Sequence, residues 1–399
     1  MTLACNGAAP ASIQFATSIN SAVTDKAIDL AVTGIGMVSA LGLSAATSCA
    51  AARAGLSRAA PLDEFKVYSE GDWSYVGVVG HSVRRYADGF RGLGKLARLA
   101  SGALADLQKD APLTAEDWSR TAMLVALPSS YFQSALASQL ATEEASESGL
   151  NGEQASLNES LIDRACKLAN LPGAPHGRLL EFDDQAGFVR LLQRAARLLQ
   201  SGEFDRCVVG GVDACTDEAY LAAAHHFHAV KAGDQAAGFQ PGEAAAFLLM
   251  ENTSGAMSRG ARIQTCVTAS AYGRDETDRT SGKPAVGVGL SDVLRNCLLQ
   301  LGDKARHIGW MIVDLNGDAF RANDWGYALV RLAASHPHIG LVPVWIPPES
   351  FGEVGAASGP VAICVAVRSH VRGYAPARSA LLPLSSYSGS RGAFTLSFP

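Results

Sequence analysis

Residues 185–202 constrain the fold more than any other stretch of the chain. Phe188, Leu191, Leu192, Ala195, Leu198 and Leu199 recur at helical spacing on one face, with Arg190, Gln193, Arg194 and Arg197 on the other. Gly202 gives this amphipathic helix a natural stop. Such a helix must bury its apolar stripe, and the rest of the chain offers strands for it to cover. The patterning predicts strands at 30–33, 122–127, 262–272, 308–315, 340–346, 361–368, 380–386 and 393–398. Helices are expected at 44–53, 93–108, 130–146, 157–169, 289–300 and 322–335. Strands alternating with helices imply an α/β protein whose mainly parallel sheets are covered on both faces. No repeat in the sequence relates one half of the chain to the other.

Bulk properties exclude several function classes. With 48% hydrophobic and 18% charged residues, the 399-residue chain belongs with packed soluble proteins, not disordered ones. Lys+Arg 33 against Asp+Glu 38 leaves a net charge of −5 and no basic stripe, so nucleic acid is not an expected partner. The eight cysteines are scattered without a CxxC pair, which suits buried, reduced thiols and a cytoplasmic location. Neither a signal peptide nor an apolar run of ~18 residues is present, so no membrane association is expected. Residues 1–28, rich in Ala, Ser and Thr, read as a loosely held extension, and Gly273–Gly287 as a mobile surface loop.

Two local patterns have a plainer reading beside a sharper one. Gly34-Ile35-Gly36 after a strand suggests a dinucleotide turn, but Ser39 occupies the third glycine position and a simple tight turn is the better reading. His225-His226-Phe227-His228 suggests a metal, yet adjacent histidines on a helix diverge and no further ligand stands at the right spacing. Neither a cofactor nor a metal is expected.

Five segments taken together resemble the β-ketoacyl synthases of the thiolase superfamily. They are Val32–Gly42 with Arg53–Ser57, the segment Gly202–Ala214, the segment Gly238–Glu251, Gly355-Ala356-Ala357-Ser358-Gly359, and the closing stretch Ser385–Phe398. The resemblance implies a duplicated αβαβα layered fold, with an N-terminal half at 29–255 and a C-terminal half at 256–399. It also implies a dimer, an active site between the halves and an acyl tunnel running toward the partner.

Ketosynthases condense acyl chains with one cysteine and two histidines. Carried over residue by residue, the cysteine position holds Gln185, whose amide cannot attack a thioester. The first histidine position holds Asn316, and the second holds Gly352, or Glu353 if one residue is skipped. The family's nearby lysine falls at Pro347, and its hairpin phenylalanine and paired glycines at Gly389, Ser390 and Arg391. Asp184, Glu243, Asp318, Arg321 and Gly389 remain as candidate pocket residues, with Glu243 read as a structural support and Asp318 equally readable as a helix cap.

Loss of the whole catalytic set implies a ketosynthase homologue without condensing activity. The expected role is that of a partner subunit of an active ketosynthase, like the family's chain-length factors, which often carry glutamine at the cysteine position. A homodimer, a heterodimer with a ketosynthase, and contact with an acyl carrier protein are the expected assemblies. The alternative is an adaptor on the same fold with no role in acyl chemistry. A malonyl-thioester decarboxylase ranks third, because such enzymes keep both histidines.

Overall fold

The computed structural model describes residues 28–140 and 160–399. The expected N-terminal extension lies outside them but for its last residue, as do the end of the 130–146 helix and the start of the 157–169 helix. The strands are β1 (Leu30–Ser39), β2 (Ala60–Ser69), β3 (Ser74–Gly80), β4 (Thr121–Ala126), β5 (Gly177–Glu181), β6 (Arg206–Ala214), β7 (Glu243–Asn252), β8 (Thr265–Arg274), β9 (Trp310–Ile312), β10 (Val344–Trp345), β11 (Ser379–Ser385) and β12 (Ser390–Ser397). All but the β2–β3 hairpin join one mixed sheet in the order β10-β9-β11-β12-β8-β1-β7-β6-β4-β5.

That order contains the duplication the sequence hides. From β1 outward, the neighbours β7, β6, β4 and β5 pair antiparallel, antiparallel, parallel and parallel. From β8 outward, β12, β11, β9 and β10 repeat the series. The two sets meet where β1 pairs antiparallel with β8.

Alternating side chains divide the molecule into layers, as the two-residue period of a strand requires. In β4, Ala122, Leu124 and Ala126 face a central core shared with the Asp184–Ser201 and Ser358–Val371 helices. Met123 and Val125 face an outer core beneath the Gly92–Asp110 helix. In β9, Trp310 and Ile312 point to the centre, and Met311 points to the outer Val288–Leu301 and Ala319–Ser335 helices. The arrangement is the αβαβα layering expected of a thiolase-like fold. Gly36 lies inside β1 and not in a turn: a Cβ there would come within 2.3 Å of Leu107 N on the covering helix.

Several sequence expectations need correction. The strand expected at 361–368 is the Ser358–Val371 helix. It lies between the two halves of the sheet, so its sides are apolar all round and its sequence lacks the stripe that would mark a helix. The strands expected at 308–315 and 340–346 shrink to three and two residues, because the chain turns away at Asp314 and Pro337–Leu341 coils into a 3₁₀ turn. The β2–β3 hairpin was not legible in its polar sequence. The 273–287 segment is tied down on several sides: Asp275 N–H donates to Gly389 O, Tyr131 Oη to Asp278, and Arg279 Nε to Asp318.

Candidate functional site

The two central helices occupy matching places in the duplication, one between β5 and β6, the other between β10 and β11. Gln185 stands at the start of the first, and Glu353 shortly before the second. Both are 1% exposed. They meet where the halves join: Gln185 Nε2 donates to Glu353 Oε1 at 2.7 Å.

Three other donors complete the shell of Glu353. Gly355 N–H reaches Oε1 at 2.8 Å, and Arg321 Nη1 reaches Oε2 at 2.9 Å. Asn316 Nδ2 donates to Oε2 and also to Tyr387 Oη, the latter at 2.8 Å. A carboxylate offers about four lone-pair positions, so four donors leave none directed at a substrate. Arg321 is buried against the Tyr387 ring, 4.6 Å from its centroid, and also donates to Asp314 O at 3.0 Å. Burial pushes the Asp314 carboxyl up to about 6, against the opposing pull of Arg321.

Of the two residues expected at the second histidine position, Glu353 is the one whose side chain enters this centre. Gly352 has φ of 73°, and a Cβ there would lie 2.9 Å from both Gln240 O and His81 Cδ2. A side chain at that position would meet neighbouring backbone and a buried ring.

The entry to the first helix is strained. Asp184 has φ of 45°, an unfavourable left-handed conformation for a residue other than glycine. Its carboxylate is clamped by Ser129, whose N–H and Oγ donate at 2.7 and 2.6 Å. Burial raises this carboxyl to about 6. Ser386 stitches the closing hairpin to the same turn: it accepts from Ala186 N–H at 3.0 Å and donates to Asp183 O at 2.6 Å. An amide of the helix's first turn is thus already used.

Of the remaining candidates, Asp318 adjoins this centre through its N–H, which donates to Asn316 Oδ1 at 3.1 Å, and the others lie apart from it. Asp318 caps the Ala319–Ser335 helix by accepting from Phe320 N–H, and pairs with Arg279 at 3.0 Å. Glu243 belongs to a separate buried cluster, accepting from Val83 N–H and Lys95 Nζ at 2.8 Å and from Thr216 Oγ1. Gly389 forms the turn of the closing hairpin with φ of 95°. His226 and His228 bond Gln139 and Gln235 respectively, so they are drawn to different neighbours.

Sequence reasoning missed Tyr387, Ser386, Asp213 and the Asp324–Arg391 pair. Asp213 accepts from Ala356 N–H at 2.9 Å, at the start of the second central helix, and its carboxyl is held well above the usual range by burial. Arg391, fully buried, bonds Asp324 at 2.7 Å and fixes β12 to the Ala319–Ser335 helix. The one available signal was the presence of charge in apolar surroundings, which periodicity does not interpret. Cys215 also lies close by, 3.2 Å from where a Cβ on Gly355 would stand. Burial, reinforced by Asp213, holds its thiol far above its ordinary range, so it supplies no thiolate.

An open cleft of about 310 Å³ leads inward between Lys231, Gln240, Ile346 and Glu349, and has Asn316 among its lining residues. Behind Asn316 lie the buried Glu353 and Gln185. A molecule entering here meets an amide already committed to two acceptors.

No family model and no curated protein matches the sequence. Solved structures do share its fold. A chain from the complex of a type II PKS acyl-carrier protein with its ketosynthase bound to the hexaketide superposes with a TM-score of 0.74 at 15% identity, covering 94% of this chain and 100% of that one. The ishigamide ketosynthase/chain length factor gives 0.69 at 18% identity, with 94% and 100% covered. The ketosynthase from module 6 of the bacillaene synthase of Bacillus subtilis 168 gives 0.68 at 13% identity, covering 93% of this chain and 72% of that one. The fold is that of ketosynthases.

Proposed function

We propose that this chain is a ketosynthase-fold subunit that performs no condensation itself and serves as the partner of an active β-ketoacyl synthase, in the manner of a chain length factor. One observation carries the reading. The three positions that resemble the catalytic cysteine and histidines, Gln185, Asn316 and Glu353, come together and bond one another. Two amides and a carboxylate occupied by four donors form a fixed polar seam. It has no thiolate to take an acyl group and no base free to move a proton.

Structural likeness to a ketosynthase/chain length factor supports the kind of partner. The sheet also offers a place for one. β5 forms an end of the sheet among the described residues, immediately before the Gln185 turn, and Phe182 beside it is 40% exposed. An open strand edge with adjacent apolar surface is a natural site for another subunit.

The test is affinity purification of the tagged chain from its source cells, followed by native mass. A stoichiometric complex with a cysteine-bearing ketosynthase would establish the role. Recovery as a homodimer, or with a protein unrelated to acyl metabolism, would replace it with the adaptor reading.

A further inference from the structure

We propose that the β2–β3 hairpin is a docking surface for an arginine-bearing segment of a partner protein. The two strands pair antiparallel, with Val67 opposite Val76 and Tyr68 opposite Tyr75. Alternation gives the ribbon two unlike faces. Leu62, Val67 and Val78 are buried in a cluster with Phe132, Phe239 and Tyr387. Facing away from that cluster, Tyr68 and Tyr75 are 49% and 71% exposed, with their rings in edge contact at 5.5 Å. At the tip, Trp73 is 84% exposed.

This aromatic surface is held in place. Asp234 accepts from Glu70 N–H at 2.6 Å, Gly71 N–H at 3.3 Å and Ser69 Oγ at 3.1 Å, fixing the turn to a neighbouring loop. Trp73 has φ of 51°, in a region where glycine or asparagine would sit with less strain. A bulky ring at a strained, solvent-facing tip is the kind of outlier that points to use. Because the turn is already ordered, binding to it sacrifices little conformational freedom.

Charge selects the occupant. Residues 60–80 hold Asp63, Glu64, Glu70 and Asp72 against Lys66 alone, and Asp234 adds a fifth acid at the tip. Arg84 donates to Pro61 O, and Arg91 pairs with Glu64 at 3.3 Å, which leaves Asp63, Glu70 and Asp72 as the acids of the ribbon without an arginine beside them among the described residues. Exposed rings fringed by carboxylates suit a guanidinium, which stacks on an aromatic face while its N–H groups reach the acids. The same acids disfavour nucleic acid or an anionic lipid surface. Residues 1–27 and 141–159 contain no arginine, so neither of these segments of the chain is the occupant.

The test is fluorescence anisotropy of labelled hexa-arginine, with hexa-lysine and hexa-glutamate as comparison peptides. We expect the wild type to bind hexa-arginine more tightly than hexa-lysine and not to bind hexa-glutamate. The doubly substituted Trp73→Ser/Tyr75→Ser protein should lose about tenfold in hexa-arginine affinity while keeping its circular dichroism. Equal affinity of the two proteins, or a preference for hexa-lysine, would overturn the proposal by reducing the effect to net charge. Saturation of the site by self-association, seen as a concentration-dependent mass abolished in the double variant, would also overturn it by making the occupant a second copy.

Discussion

The side-chain amide of Gln185 donates to the Glu353 carboxylate at 2.7 Å, joining residues 168 positions apart in the chain. With Asn316, Arg321 and Gly355 on the same carboxylate, Glu353 is the hub through which the two halves of the fold share a polar seam.

Removing the hub should be costly. Glu353→Ala leaves Arg321, 2% exposed, without its main counter-charge, and we expect a loss of roughly 3–5 kcal/mol in urea denaturation. Glu353→Ala combined with Arg321→Met should recover most of it. A double variant no more stable than the single one would show that Arg321 is satisfied by Asp314 alone.

Restoring the nucleophile alone should fail. Gln185→Cys places a thiol beside Glu353, with Asn316 where a histidine is needed, so neither deprotonation nor enolate stabilisation is supplied. We expect no condensation of acyl and malonyl thioesters above the level of the unmodified chain. Turnover by this variant would refute the assignment of the seam as catalytically inert.

The pair buried behind the closing hairpin behaves similarly. Asp324 and Arg391 are 0% exposed, and Asp324→Asn removes the charge opposite the guanidinium. We expect roughly 3 kcal/mol of destabilisation, largely relieved when Arg391→Met is added. Thermal melts of the two variants distinguish this from a purely additive loss.

Glu181, at the end of β5, provides a pH prediction. Burial raises its carboxyl from 4.5 to about 7, opposed by Arg190 at 3.0 Å. Between those values the folded protein holds a proton that the unfolded chain has released, so this residue's contribution to stability falls as pH rises through the window. Buried histidines act in the opposite sense, so the informative quantity is the difference between wild type and Glu181→Gln. Relative to its value below pH 5, that difference should move against the wild type by up to roughly 3 kcal/mol by pH 7.5. A pH-independent difference would mean that Glu181 titrates alike in the folded and the unfolded chain.

The outer frame was legible because its signals are local. The helix from the Gln185 turn to Gly202 and the helices near 93–108 and 289–300 all show a period set by one buried face. The Ser358–Val371 helix was not, because a helix enclosed on every side has no polar face to reveal its turn. At the site, counting from motifs reached Gln185 and Asn316 and narrowed the third position to two residues. That the Glu353 side chain meets Gln185 and Asn316 is a product of tertiary packing, as are the φ and close neighbours of Gly352. Tyr387 and Asp213 were missed for the same reason: each acquires its meaning from a partner more than seventy residues away.

The span of the Gln185–Glu353 contact also dictates an order of events. Local pairings such as β2 with β3, or β11 with β12, close short loops, while the seam needs both sets of five strands and the closing hairpin in place. Non-local contacts repay their loop-closure entropy late, so the seam should be among the last features to form during refolding. Before then the 184–201 helix presents Phe188, Leu191 and Leu192 without the second half to cover them. The most hazardous moment in this molecule's life is therefore its assembly: the interval before the seam closes is when aggregation competes with folding.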